Sequence, residues 1–84
     1  MDKKKIEEIK KNYKSGMKIR LLKMDDFQAP PPGTLGTVRM VDDAGTIHMS
    51  WKNGSSLGLI LGEDEFEIID EEWDENSIYI HLNL

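Results

Sequence analysis

The stretch PGTLGTVRMVDDAGTIHMSWKNGSSLGLILGEDEF, running from Pro32 to Phe66, decides how this chain folds. Three short runs within it, residues 35–41, 46–51 and 56–61, alternate in the manner of half-buried strands, and turn residues separate them. Asn53-Gly54 lies between the second and third runs; both residues tolerate the positive φ of a type I′ hairpin turn. Between the first and second, Asp42-Asp43-Ala44-Gly45 suits a type I turn followed by a left-handed glycine. The pattern predicts an antiparallel three-stranded meander.

Working outward, the segment 17–24 (MKIRLLKM) alternates Met17, Ile19 and Leu21 against Lys18 and Arg20 and then breaks phase at Leu22, as a strand with a bulge does. Residues 66–69 supply a last strand after a tight turn at Gly62-Glu63-Asp64-Glu65. Between the first strand and the meander, residues 25–33 hold three successive prolines, which donate no backbone hydrogen bonds and keep their predecessors extended. Upstream, Ile6, Ile9 and Tyr13 share one face of a predicted helix over residues 3–14, which Ser15-Gly16 ends. A helix so short is marginal alone and must dock its apolar stripe on something.

The architecture this predicts is mainly β: a small SH3-like barrel of about five strands with a short N-terminal helix and an extra C-terminal strand. Eighty-four residues make one domain, in which residues 1–16 are a helical arm, 17–69 the barrel and 70–84 an acidic connection with a final strand. In that strand, SIYIHLNL, Ile78, Ile80, Leu82 and Leu84 alternate with Tyr79 and His81. No Lys, Pro or inward charge protects its edge, so it is expected to pair with its own sheet or with another chain, Trp73 flanking the contact.

The net charge of −5 is unevenly distributed. Residues 1–24 carry nine Lys or Arg against three acids, and residues 62–84 carry nine acids and no base. Intramolecular complementarity is the plainer expectation for these ends. Without cysteine there is neither a disulfide framework nor a thiolate zinc site, which points to the cytoplasm. No apolar run is long enough to span a bilayer, and the charged start does not resemble a signal peptide, so a soluble protein is expected.

The residues at 24–34, 36–38, 41–45, 47–48 and 51–59, among them Asp25-Asp26-Phe27-Gln28-Ala29-Pro30-Pro31-Pro32-Gly33-Thr34 and Trp51-Lys52-Asn53-Gly54-Ser55-Ser56-Leu57-Gly58-Leu59, closely resemble a bacterial domain of unknown function, family 4314. The resemblance covers residues 17 to about 69. It implies an SH3-like barrel and a mobile-genetic-element setting in phages and plasmids, and it implies no reaction. Lys52 stands where the family more often has an acid, and the basic helix lies outside the shared core.

No catalytic signature rises above this pattern. His48 and His81 stand alone on separate strands, the adjacent acids of 25–26 and 42–43 flank turns, and Ser55 and Ser56 have no base beside them in sequence; neither enzyme, metal nor cofactor is expected. The glycines spell no phosphate loop. Phe27, Pro30, Pro31, Trp51, Asn53, Ser55 and Ser56 are the candidate lining of a recognition groove, although Trp51 is also in phase with Ile47 and Met49 and so equally a core residue. The expected function is a non-enzymatic binding module acting on a protein partner, as an inhibitor of a host defence factor. The alternatives are a nucleic-acid-binding barrel and a small-molecule or nucleotide sponge. Nucleic acid is the poorer fit, because Arg39 and Lys52 are the only bases between residues 25 and 61.

Overall fold

The structure, a computed structural model, describes residues 2–69. The expected strand at 77–84, and Trp73, Ile78, Tyr79, Ile80, His81 and Leu82 with it, lie outside the described residues.

Helix α1 spans Lys3–Asn12 and begins at Asp2, whose extended backbone and Oδ1 acceptor cap the Lys5 amide at 2.8 Å. Lys10 and Lys11 in its last turn complement the negative end of the helix dipole. The helix stops two residues short of its predicted end because the sheet takes over the backbone there. Gly16 N donates to Val38 O and Val38 N donates to Met17 O, each at 2.8 Å, with Gly16 at φ 94°.

Four strands follow, β1 Lys18–Lys23, β2 Leu35–Val41, β3 Ile47–Trp51 and β4 Glu65–Ile69, in one antiparallel sheet of order β3-β2-β1-β4. In β1 the register slips between Leu21 and Lys23, leaving Leu22 at the surface as the break in alternation foretold. A second slip, between Val38 and Met40 in β2, re-phases that strand. It sends Met40, expected on the face of Gly36 and Val38, out to solvent and turns Val41 into the core.

Both ends of β3 turn on one design. Gly45 N donates to Asp42 O and Asp42 N to Thr46 O, both at 3.0 Å; Gly54 N donates to Trp51 O and Trp51 N to Ser55 O, both at 2.9 Å. Gly45 and Gly54 have φ of 86° and 92°, whereas no non-glycine residue among those described has positive φ. The Asn53-Gly54 turn is therefore a type I turn closed by a left-handed glycine, not the type I′ turn expected, because three residues rather than two separate the paired positions.

The expected strand at 56–61 is reduced to two isolated bridges. Leu59 exchanges both backbone hydrogen bonds with Ile47, while Leu61 bridges Asp64. Side chains claim the amides that would extend the ladder: Ser55 Oγ accepts from Leu57 N at 3.2 Å and Asp64 Oδ2 from Ile60 N at 2.8 Å. Ile60 is exposed.

The core is Ile19, Leu21, Val38, Val41, Ile47, Met49, Trp51 and Leu59, completed by Ile9 of α1. Burying Ile9 contributes about 1.5 to 3 kcal/mol by area. Tyr13 meets Phe66 edge-to-face at 5.7 Å, so the helical stripe does dock on the sheet through Ile9 and Tyr13.

Candidate functional site

Three surface features bring functional side chains together: the proline loop, a cleft at the β2 bulge, and the solvent face of the sheet.

The loop between β1 and β2 is fastened at several points. Asp26 Oδ1 accepts from Gln28 N at 2.8 Å and its carbonyl from Ala29 N at 2.9 Å, forming a tight turn around Phe27. Pro30 is fully buried and serves as the loop's anchor. On the far side, Thr34 donates to Pro31 O through both Oγ1 (2.6 Å) and its amide (3.1 Å), and Gly33 N donates to Leu21 O. Phe27, at the tip, is 96% exposed. A large apolar ring held bare on a loop with this many internal bonds gives up little conformational freedom when it docks.

The other residues of the expected groove are placed elsewhere. Trp51 is 3% exposed: its ring lies over Gly36, and its Nε1 donates to Leu57 O at 2.8 Å. It is a core residue with its one polar atom satisfied. Asn53 Oδ1 accepts from Ser55 N at 3.0 Å, so Asn53 and Ser55 brace the second β3 turn. Pro31 remains at the surface beside the loop tip, and Ser56 lines a different cleft.

That cleft, of about 320 Å³, is lined by Arg39, Met40, His48, Met49 and Ser56. The bulge in β2 makes it by setting Met40 opposite His48. Behind His48, Asp42 Oδ2 meets Nε2 at 2.7 Å, while Oδ1 accepts the Ala44 and Thr46 amides at 2.9 Å each. The His48 hydrogen bond first, and the Thr46 amide after it, hold the Asp42 carboxyl below the ordinary carboxylate range. The pair forms because the turn after β2 folds residues 42 and 48 back onto each other.

The sheet also gathers cations that are scattered in sequence. Lys18 and Arg20 alternate with buried Ile19 and Leu21 and face solvent, and Lys52 joins Lys18 in lining a shallow cleft with Leu35, Thr37 and Ile69. Arg20 is paired with Glu67 across the strands at 2.7 Å, and Lys18 Nζ donates to Thr37 Oγ1 at 2.9 Å. Residues 2–69 contain eleven basic and eleven acidic side chains, so the whole net charge of −5 lies in residues 70–84. No described helix is long and apolar enough to cross a membrane.

Fold and surface together define a small, mainly β domain whose most distinctive features are the proline loop and the turn-rich meander. Residues 2–69 match the family profile "Domain of unknown function (DUF4314)", and the chain belongs to that family. The match begins at residue 2, so α1 is part of the family's domain and not, as the resemblance alone implied, outside it. Comparison with curated proteins and with solved structures finds no match.

Proposed function

We propose that this protein is a non-enzymatic binding module that docks on a partner protein through the loop carrying Phe27. The single observation that carries the reading is a phenylalanine 96% exposed at the tip of a loop that buried Pro30 and the hydrogen bonds at Asp26, Pro31 and Leu21 hold in shape. Isolated exposed apolar residues are ordinary, but an aromatic presented on a braced loop has the form of an interface anchor. The domain is of SH3-like type on this reading. Placing the Leu59 bridge beyond β3 gives the sheet a continuous meander with the last strand, β4, returning beside the first. The family resemblance supports a mobile-element protein and the lack of cysteine a cytoplasmic one, and on this reading it acts by inhibiting a host factor. In the same reading residues 77–84 add as a strand to a second copy or to the partner; β4, paired only with β1 among the described residues, offers the edge.

The test compares wild type and Phe27→Ala as baits in a host lysate, with melting curves of both. A partner retained by wild type and weakened about tenfold or more in Kd by the substitution, at unchanged stability, supports the proposal. Equal retention by both baits overturns it.

A second reading, nucleic-acid binding, is favoured by Lys18, Arg20 and Lys52 converging on one sheet face, which the linear count of charges did not show. Steep loss of DNA affinity with rising salt, reduced by Lys18→Glu with Lys52→Glu, is its signature.

A further inference from the structure

We propose that the cleft beside the β2 bulge is a binding site for a small ligand bearing a phosphate group, held by Arg39, His48 and Ser56. The inference stands apart from the docking loop and rests on different residues.

The polar groups lining the cleft are of the right kinds, and the His48 ring is held in place. Asp42 is pinned by two backbone amides and held ionised, so it accepts only, and the proton shared with His48 resides on Nε2. That leaves Nδ1 as the ring's uncommitted nitrogen. It accepts from a protonated phosphate oxygen in the neutral imidazole and donates to an ionised oxygen in the imidazolium. This is the arrangement in which a carboxylate fixes the tautomer and orientation of an imidazole working on its other side. Arg39, placed by the bulge, has no carboxylate within ion-pair distance among the described residues, and its guanidinium carries a planar fork of donors suited to phosphate oxygens. The Ser56 hydroxyl supplies a further donor.

Arg39 and Ser56, joined by His48 when its ring is protonated, place donors around one cleft, and the guanidinium's fork matches the charge and terminal oxygens of a phosphate. A cation is disfavoured by Arg39 in the wall. The volume of about 320 Å³ lies at the small end of ligand sites, which span roughly 300 to 1,000 Å³. Met40, 52% exposed, offers the organic part of a phosphate ester an adaptable apolar wall. Arg39 makes none of the hydrogen bonds of the fold's side-chain network, so its surplus charge has no structural task among the described residues.

The test is an NMR titration of the isotope-labelled full chain with inorganic phosphate and with a nucleoside 5′-monophosphate, each at constant ionic strength balanced by chloride. The expected result is saturable shifts at Arg39, His48 and Ser56 below about 10 mM ligand, weakened at least about tenfold in Arg39→Gln, with the spectrum of the rest of the fold retained. Tighter binding of the nucleotide identifies a phosphate ester as the ligand, and equal binding identifies free phosphate; both support the site. Absence of saturable shifts with either probe overturns the proposal, as does wild-type affinity in Arg39→Gln. Shifts spread equally over Lys18 and Lys52 show general anion association and overturn it too. So does binding confined to an oligonucleotide, which transfers the face to the nucleic-acid reading.

Discussion

Replacing Gly36 with alanine tests the packing of the sheet at its tightest point. A Cβ built on Gly36 falls 2.4 Å from Trp51 Cε3, 2.9 Å from Cζ3 and 3.0 Å from Met49 Cε. The indole has little room to retreat, because its Nε1 is bonded to Leu57 O at 2.8 Å and the ring is 3% exposed. A glycine-to-alanine change in a compatible backbone stabilises by about 0.4 to 1 kcal/mol through the unfolded state. Here overpacking of about 1 to 3 kcal/mol opposes that gain, joined by up to about 1 kcal/mol if the indole hydrogen bond is stretched. An approach of 2.4 Å is a severe overlap that puts the steric cost at the upper end of that range, so a net loss of about 1 to 3 kcal/mol is expected. For a domain of this size that lowers Tm by roughly 4 to 8 °C per kcal/mol. Thermal and urea unfolding of Gly36→Ala, Trp51→Leu and the double variant give a cycle in which the alanine costs far less once the indole is gone. An unchanged or raised Tm in Gly36→Ala, or strict additivity in the cycle, refutes the contact.

Further outcomes follow from the same structure. Ile9→Ala should destabilise by about 2 to 5 kcal/mol in urea unfolding, since Ile9 is the one helical residue fully in the core. Gly54→Ala, forced to keep φ near 92°, should cost about 1 to 2 kcal/mol, whereas Asn53→Ala loses only an exposed hydrogen bond and should cost under about 1 kcal/mol; the reverse order would restore the type I′ turn. Asp42, with a folded pKa below its unfolded one, adds stability that is fully present above the unfolded value of about 4 and is lost as pH falls through the folded value. The Tm gap between wild type and Asp42→Asn should therefore narrow as pH falls below about 4, and a gap independent of pH would exclude the linkage. Ile80→Lys should leave the fold intact while reducing molar mass in light scattering if residues 77–84 mediate association, and a monomeric wild type would count against that role.

Much of the sheet was legible because its signals are local. Alternation marked 35–41 as a strand to the residue, and the phase break at Leu22 announced a bulge that the register shift in β1 confirms. The segment 56–61 misled because alternation reports which residues are apolar and not who receives their backbone bonds. Ser55 and Asp64, whose side chains took the Leu57 and Ile60 amides, lie at its margins and look like ordinary turn residues. The second bulge was invisible for a related reason: Val38, Arg39 and Met40 keep a plausible period, and only pairing with β3 shows the extra residue. For the candidate sites, the proline loop could be read as rigid, but the buried role of Pro30 and the bareness of Phe27 depend on packing. The Asp42–His48 pair and the convergence of Lys18 with Lys52 required the turn and the strand order to be known.

The strand order also bears on how the chain finds its fold. β2 and β3, joined by a short turn and continued by the Leu59 bridge, pair neighbours in sequence, so little chain entropy opposes their formation. The β1–β4 ladder instead sets Ile19 against Ile68 and Lys23 against Glu65, closing nearly the whole domain into one loop. Closing so long a loop costs more chain entropy than forming the hairpin, so this ladder is expected to form late. The β2–β3 hairpin is thus expected to be the kinetic nucleus, with φ-values near Val38 and Met49 well above those at Phe66 and Ile68. Substitutions along β4 should then act mainly on the unfolding rate. The family's meander would set how fast the domain forms, and its returning strand how long it lasts.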